Sequence, residues 1–128
     1  MHEVLRTLSE IGIVPVVALK DAADAVPLAR ALCAGGIPTA EVTFRTDAAA
    51  ASIAAMRQEA PEMLVGAGTV LTVENAEAAV AAGAAYIVTP GISEPVVRWC
   101  IEHGVPVLPG VSTASEVQKM LEYGIEIM

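Results

Sequence analysis

Aromatic residues are scarce: one Trp, two Tyr and one Phe make up 3% of the 128 residues. A core of large stacked rings is therefore excluded. Basic residues are few as well, 7 Lys and Arg against 15 Asp and Glu, for a net charge of −8. An acidic surface repels phosphodiester backbones, so nucleic acid is not an expected partner. The same balance argues against a polybasic patch on a membrane. Only two cysteines, Cys33 and Cys100, and two histidines, His2 and His103, are present. They share no metal-ligand spacing, so neither a metal nor a disulfide framework is expected, and the thiols read as small core residues. The start of the chain lacks a basic segment followed by an apolar one, so no secretory signal is visible. The longest apolar runs are broken by Pro15 or Gly83 and fall short of the roughly 20 residues a membrane helix needs. The expected setting is the reducing cytoplasm.

What the chain does have is apolar residues, 55% of the total, many of them alanine. That is too apolar for disorder, and it predicts thin helices packed closely against a sheet. Apolar periodicity then alternates between two kinds of segment. A helical stripe through Val4, Leu5, Leu8 and Ile11 is closed by Gly12. The continuous run Ile13–Leu19 predicts a strand buried on both faces. Asp21 is placed to cap a helix that stops at Gly35-Gly36. Strand-like segments follow at 40–44, 63–70, 86–88 and 105–111, with helices opening at Asp47, Thr72, Ser93 and Thr113. Thr113-Ala-Ser-Glu116 has the spacing of a capping box, and Ile125–Met128 predicts the start of a sixth strand.

The strand centres recur at intervals of roughly 18 to 26 residues, a βα period that builds a parallel sheet with right-handed crossovers. An open doubly wound sheet and a (β/α)8 barrel both satisfy that period. Polar residues or glycines close nearly every strand, at Lys20, at Glu41 with Thr43 and Arg45, and at Thr69, Thr89 and Thr113. Such recurrence favours the barrel, which collects its chemistry from several strand ends at one face. With no linker or low-complexity stretch, residues 1–128 are expected to form a single partial barrel domain: an N-terminal helix, five βα units and the start of strand six.

Glu41-Val42-Thr43-Phe44-Arg45 is the most informative segment. Strand alternation puts Glu41, Thr43 and Arg45 on one side and the apolar pair on the other, under the helices. A carboxylate and a guanidinium inside a barrel are costly unless they pair or act. Two readings stay open: a buried Glu41–Arg45 ion pair, or a general acid/base beside an Arg that binds carboxylate or phosphate. Gly66-Ala67-Gly68-Thr69 either lets backbone approach a ligand or permits tight interior packing. Its spacing is wrong for a dinucleotide fingerprint. Thr89-Pro90-Gly91 and Pro109–Thr113 are strand-to-helix turns. Lys20 is a candidate anion contact, with a solvated loop lysine as the plainer reading.

Together these segments resemble the 2-keto-3-deoxy-6-phosphogluconate (KDPG) aldolase / 4-hydroxy-2-oxoglutarate (KHG) aldolase family. The resemblance rests on Val14-Pro15-Val16-Val17, Ala25-Val26-Pro27-Leu28-Ala29, Glu41-Val42-Thr43-Phe44-Arg45-Thr46, Val65-Gly66-Ala67-Gly68-Thr69-Val70, Ile87–Gly91 and Pro109–Thr113, in that order. It implies a (β/α)8 barrel, a homotrimer, and class I aldol chemistry through a lysine Schiff base without a cofactor. On the match Glu41 is the acid/base, Arg45 holds the pyruvoyl carboxylate, and Thr69 adds a hydrogen bond near it. Lys20 and Pro90 complete the expected substrate-binding set. The resemblance puts the lysine directly after Met128 and the phosphate site in later loops. Lys119, in the preceding helix, matches no family lysine. The expectation is that the chain continues through a chemically modified lysine, rather than ending as a fragment. Two other functions stay open: a phosphosugar isomerase or synthase using Glu41 without a Schiff base, and an inactive barrel fragment acting as an assembly scaffold.

Overall fold

Pro15 decides how the first apolar run folds. In the computed structural model, which describes residues 2–128, only Val16–Val17 form a strand, β1. Pro15 cannot donate to a ladder, and its carbonyl instead accepts from the Glu41 N–H at 2.8 Å. The expected strand over 13–19, buried on both faces, is thus corrected. Ile13 and Val16 are 60% and 59% exposed in this chain, in which β1 pairs with β2 alone.

Helix α1 (Glu3–Ile11) precedes β1, and Gly12 ends it in a left-handed conformation, φ 77°. A 3-10 turn at Ala22–Asp24, capped by Asp21 through the Ala23 N–H at 2.9 Å, leads into α2 (Ala25–Ala34). Then come β2 (Thr39–Thr43), α3 (Ala49–Glu59), β3 (Leu64–Gly68), α4 (Val73–Ala81), β4 (Ile87–Thr89), α5 (Glu94–Glu102), β5 (Val107–Pro109) and α6 (Ala114–Glu122). Ala48, not Asp47, is the residue that opens α3, and Ser93 opens α5 without a side-chain cap bond. The capping box at Thr113 is formed in both directions. Residues 125–128 are not strand. Ile125 spends its N–H on the Met120 carbonyl at 3.0 Å, closing the turn after α6, and that residue's side chain is buried.

The five strands are all parallel and lie in the order β1-β2-β3-β4-β5. A doubly wound sheet reverses its strand order at a switch point; this one never does. Ala40 and Val42 of β2, Val65 and Ala67 of β3, and Ile87 of β4 join one apolar core with Ala25, Ala29, Ile53, Met56, Ala76, Ala79, Val96, Val97 and Cys100 of the helices. Alanines at the buried positions of α2 and α4 let those helices approach the sheet closely. The opposite sheet face carries Thr39, Glu41 and Thr43 beside Gly66 and Gly68. A sequential parallel sheet with helices over one face and polar residues on the other is a segment of a (β/α) barrel wall.

Cys100 is buried and its thiol is pushed up to about 11 by that burial; Cys33 is half-buried. Both are free. Among the described residues no helix is long and apolar enough to cross a membrane.

Candidate active site

The register of β2 on β3 sets the geometry. Glu41 lies opposite Gly66, and Thr43 opposite Gly68. Glu41 leans one pleat along the strand, so its carboxyl fills the space a side chain on Gly68 would need. The space before Gly66 is filled by the ring of Tyr86 in the same way. At both glycines protein groups occupy the inner face, the tight interior packing that was one of the two readings of this segment.

Glu41 is 9% exposed. Among the described residues no protein donor bonds its carboxyl, and burial raises its proton affinity above the ordinary carboxylate range, with Arg45 pulling weakly the other way. A carboxyl that is sheltered, unpaired and raised in proton affinity is a better proton carrier than an ordinary exposed carboxylate.

Arg45 is not in the barrel interior. Strand β2 stops at Thr43, so the alternation expected to carry Arg45 inward ends before it. Its side chain is exposed, and its Nε donates to Thr69 Oγ1 at 3.2 Å. The buried Glu41–Arg45 ion pair is absent; the ion pairs among the described residues are Arg30–Glu59, Arg98–Glu94 and Lys119–Glu94. Thr69 follows β3 directly and is the one non-glycine described residue with positive φ, 53°. For a β-branched residue that conformation is strained, and here it accompanies the Thr69–Arg45 bond.

The other strand ends converge on the same rim. Thr43 Oγ1 donates to the Val17 carbonyl at 3.0 Å, and Thr46 Oγ1 to the Leu19 carbonyl. Lys20, next in sequence after Leu19, therefore sits beside the Arg45–Thr46 turn; it is exposed. Pro90 is exposed and lines a small cavity of about 90 Å³ with Gly91, Gly110, Val111, Ser112 and Glu116, between the ends of β4 and β5. Gly110 packs there on the Pro90 carbonyl so closely that a Cβ would overlap it. The larger cleft, about 390 Å³, lies at the opposite, amino end of the strands, among Leu5, Ile101, Val105, Val107 and Ile125. None of Lys20, Glu41, Arg45, Thr69 and Pro90 lines it. No group of His, Cys, Asp or Glu among the described residues is placed to hold a metal.

Tyr86 and Thr39 were not among the residues expected at the site. The signal for them is the Gly-x-Gly pattern of β3, which empties two positions on one face and so requires a neighbouring strand to fill them.

Residues 4–128 match the family model described as KDPG and KHG aldolase. Among curated proteins, the 2-dehydro-3-deoxy-phosphogluconate aldolase of Treponema pallidum is 52% identical over the whole of this chain and 61% of its own length. The KHG/KDPG aldolase of Escherichia coli K12 is 42% identical over 89% of this chain and 54% of its own. The structure of the KDPG aldolase of Zymomonas mobilis ZM4 with 3-phosphoglycerate superposes with a TM-score of 0.92 at 36% identity, over 98% of this chain and 60% of that one. The KDPG aldolase of Legionella pneumophila, with pyruvate captured at low pH as a covalent carbinolamine intermediate, gives 0.84 at 38% identity, over 88% and 54%. The chain thus spans between about half and three-fifths of the length of these relatives.

Proposed function

Because the chain belongs to the KDPG and KHG aldolase family, we propose that the whole protein is a class I aldolase. Its substrates are 2-keto-3-deoxy-6-phosphogluconate, cleaved to pyruvate and glyceraldehyde 3-phosphate, and 4-hydroxy-2-oxoglutarate, cleaved to pyruvate and glyoxylate. The observation that carries this reading is the carboxyl of the largely buried Glu41, which has no protein donor among the described residues and is raised in proton affinity. It lies on the sheet face whose rim carries the Arg45–Thr69 pair.

In this mechanism a lysine just beyond Met128 attacks the substrate ketone. Water leaves, and the product is a protonated imine that serves as electron sink. The C4 hydroxyl gives up its proton, the C3–C4 bond breaks, and its electrons move toward the imine nitrogen. An aldehyde departs and the pyruvate enamine remains. Protonation at C3 and hydrolysis then release pyruvate and free the lysine. Glu41 carries these protons, through water, since its raised proton affinity makes it a better proton carrier than an ordinary carboxylate. Arg45 holds the substrate carboxylate with two parallel N–H bonds, and Thr69 adds a hydrogen bond beside it. Lys20, on the same rim, supplies further positive charge, and Pro90 shapes the wall.

The Legionella protein's covalent pyruvate adduct supports the chemistry by likeness. Residues 1–128 form the first part of one barrel domain in a cytoplasmic homotrimer; sedimentation of the whole protein as a monomer would remove the trimer. The decisive test is borohydride reduction in the presence of pyruvate. A lysine in the whole protein is expected to gain a reduced pyruvyl group, and a protein that gains no mass is not this aldolase.

A further inference from the structure

Glu41 and Gly66 are partners across the β2–β3 ladder. A side chain on an inner face would ordinarily occupy the space before its partner, and Gly66 leaves that space empty. Tyr86, immediately ahead of β4, fills it: a Cβ on Gly66 would overlap Cδ2, Cε2 and Cζ of its ring. The carboxyl of Glu41 is therefore found one pleat further on, over Gly68, next in sequence to Thr69.

The ring is anchored. Thr39 Oγ1 donates to the Leu64 carbonyl at 2.7 Å and lies 3.3 Å from the Tyr86 hydroxyl. A threonine hydroxyl has one proton. Since Thr39 gives its proton to Leu64, the Tyr86 hydroxyl must be the donor to Thr39. The chain of bonds runs Tyr86 to Thr39 to Leu64, toward the amino end of the barrel and away from the site. Tyr86 and Thr39 are both wholly buried, and burial pushes the Tyr86 phenol up to about 12. It is thus a neutral wall at working pH, with its only proton already committed.

We propose that Tyr86 is a positioning residue: its ring fills the space before Gly66 and so holds the Glu41 carboxyl over Gly68, at the level of Thr69. Without the ring the carboxyl drops back into the barrel, out of reach of the reacting atoms. This rests on the aldolase reading for its consequence, but the placement itself is a property of the barrel. The charged or titratable groups bearing on Glu41 are Arg45, beyond the end of β2, and Tyr86. Its register partners Val16 and Gly66 carry none.

The test uses the whole protein with Tyr86→Leu and Tyr86→Phe. Phe keeps the ring and is expected to stay within about twofold of wild-type kcat, whereas Leu loses about 100-fold, the scale of an ångström-sized misplacement. In Y86L the KM for the keto acid and the yield of borohydride-trapped pyruvate stay at wild-type levels, because the Schiff base does not need Glu41 in place. A merely structural role would lower turnover and trapping together, and that result overturns the proposal, as does wild-type kcat in Y86L. Should Y86L not fold, Tyr86→Met is read by the same criteria. If wild-type protein is not trapped at all, the aldolase reading fails and the placement is tested separately. Carbon-13 NMR titration of the Glu41 carboxyl should then give one midpoint for wild type and Y86F and a different one for Y86L, where the carboxyl has left its place over Gly68. An identical titration in all three overturns it.

Discussion

The carboxyl of Glu41 occupies the volume that a side chain on Gly68 would need. One residue's missing side chain is the other's binding space, and the two positions cannot be varied independently. Gly68→Ala must either displace the carboxyl or bend β3. Overpacking of this kind costs about 1–3 kcal/mol. The expected outcome is a loss of turnover of about 100-fold or more in a protein that still folds. Activity near wild type in a folded G68A protein would show that the carboxyl need not lie there.

Glu41 should also make the protein less stable than it could be. Its folded-state proton affinity is raised, so in the window above the ordinary carboxylate value the folded protein binds more protons than the unfolded one. Stability is then lost as pH rises through that window. Glu41→Gln removes the charge and keeps the shape. At neutral pH it should gain roughly 0.5–2 kcal/mol, the usual size of such relief at a functional site. The gain should vanish below the ordinary carboxylate range. Chemical denaturation of both proteins across pH checks the sign, and a gain that grows toward acid contradicts it.

Thr69 separates strain from binding. Its φ of 53° costs about 1–2 kcal/mol for a residue with a Cβ, whereas glycine adopts it freely. Thr69→Gly therefore regains that strain, less about 0.4–1 kcal/mol of extra unfolded-chain entropy. It loses the Oγ1 that meets Arg45 Nε, an interaction worth about 1 kcal/mol. Denaturation should show stability within about 1 kcal/mol of wild type, because the three contributions nearly cancel. Kinetics should show a KM for keto acid raised roughly fivefold to tenfold, with Thr69→Ser keeping the wild-type KM.

Ser52 offers a stabilising substitution away from the site. Its Oγ is buried in α3 with no hydrogen-bond partner. A buried unsatisfied hydroxyl costs about 1–3 kcal/mol, and alanine is the better helix former. Ser52→Ala should raise the denaturation midpoint by the equivalent of about 1 kcal/mol and leave kcat/KM unchanged. A lower midpoint would mean that the hydroxyl has a partner after all.

Much of this molecule was legible from residue order alone. The alternation of 3.6-residue and continuous apolar periods located the helices and the five strands to within a few residues, because burial on one face or both leaves that imprint directly, but the sixth strand it placed at 125–128 is not formed. Glycines and Thr113–Glu116 marked helix ends for equally local reasons: a left-handed turn at Gly12 and a reciprocal pair of bonds at the start of α6. Glu41 stood out because a carboxylate between apolar strand residues needs an explanation. Three things depended on tertiary pairing. The pairing of β1 with β2 begins only after Pro15 and leaves a two-residue strand. The end of β2 at Thr43 sent Arg45 to the rim, to meet a strained Thr69 rather than Glu41. Above all, the parallel register of β2, β3 and β4 put a glutamate carboxyl and a tyrosine ring into two adjacent empty positions on one strand. Periodicity reports how each segment divides itself between core and surface. Which side chain fills which gap depends on the register between segments far apart in sequence, and that exists only once the sheet has formed.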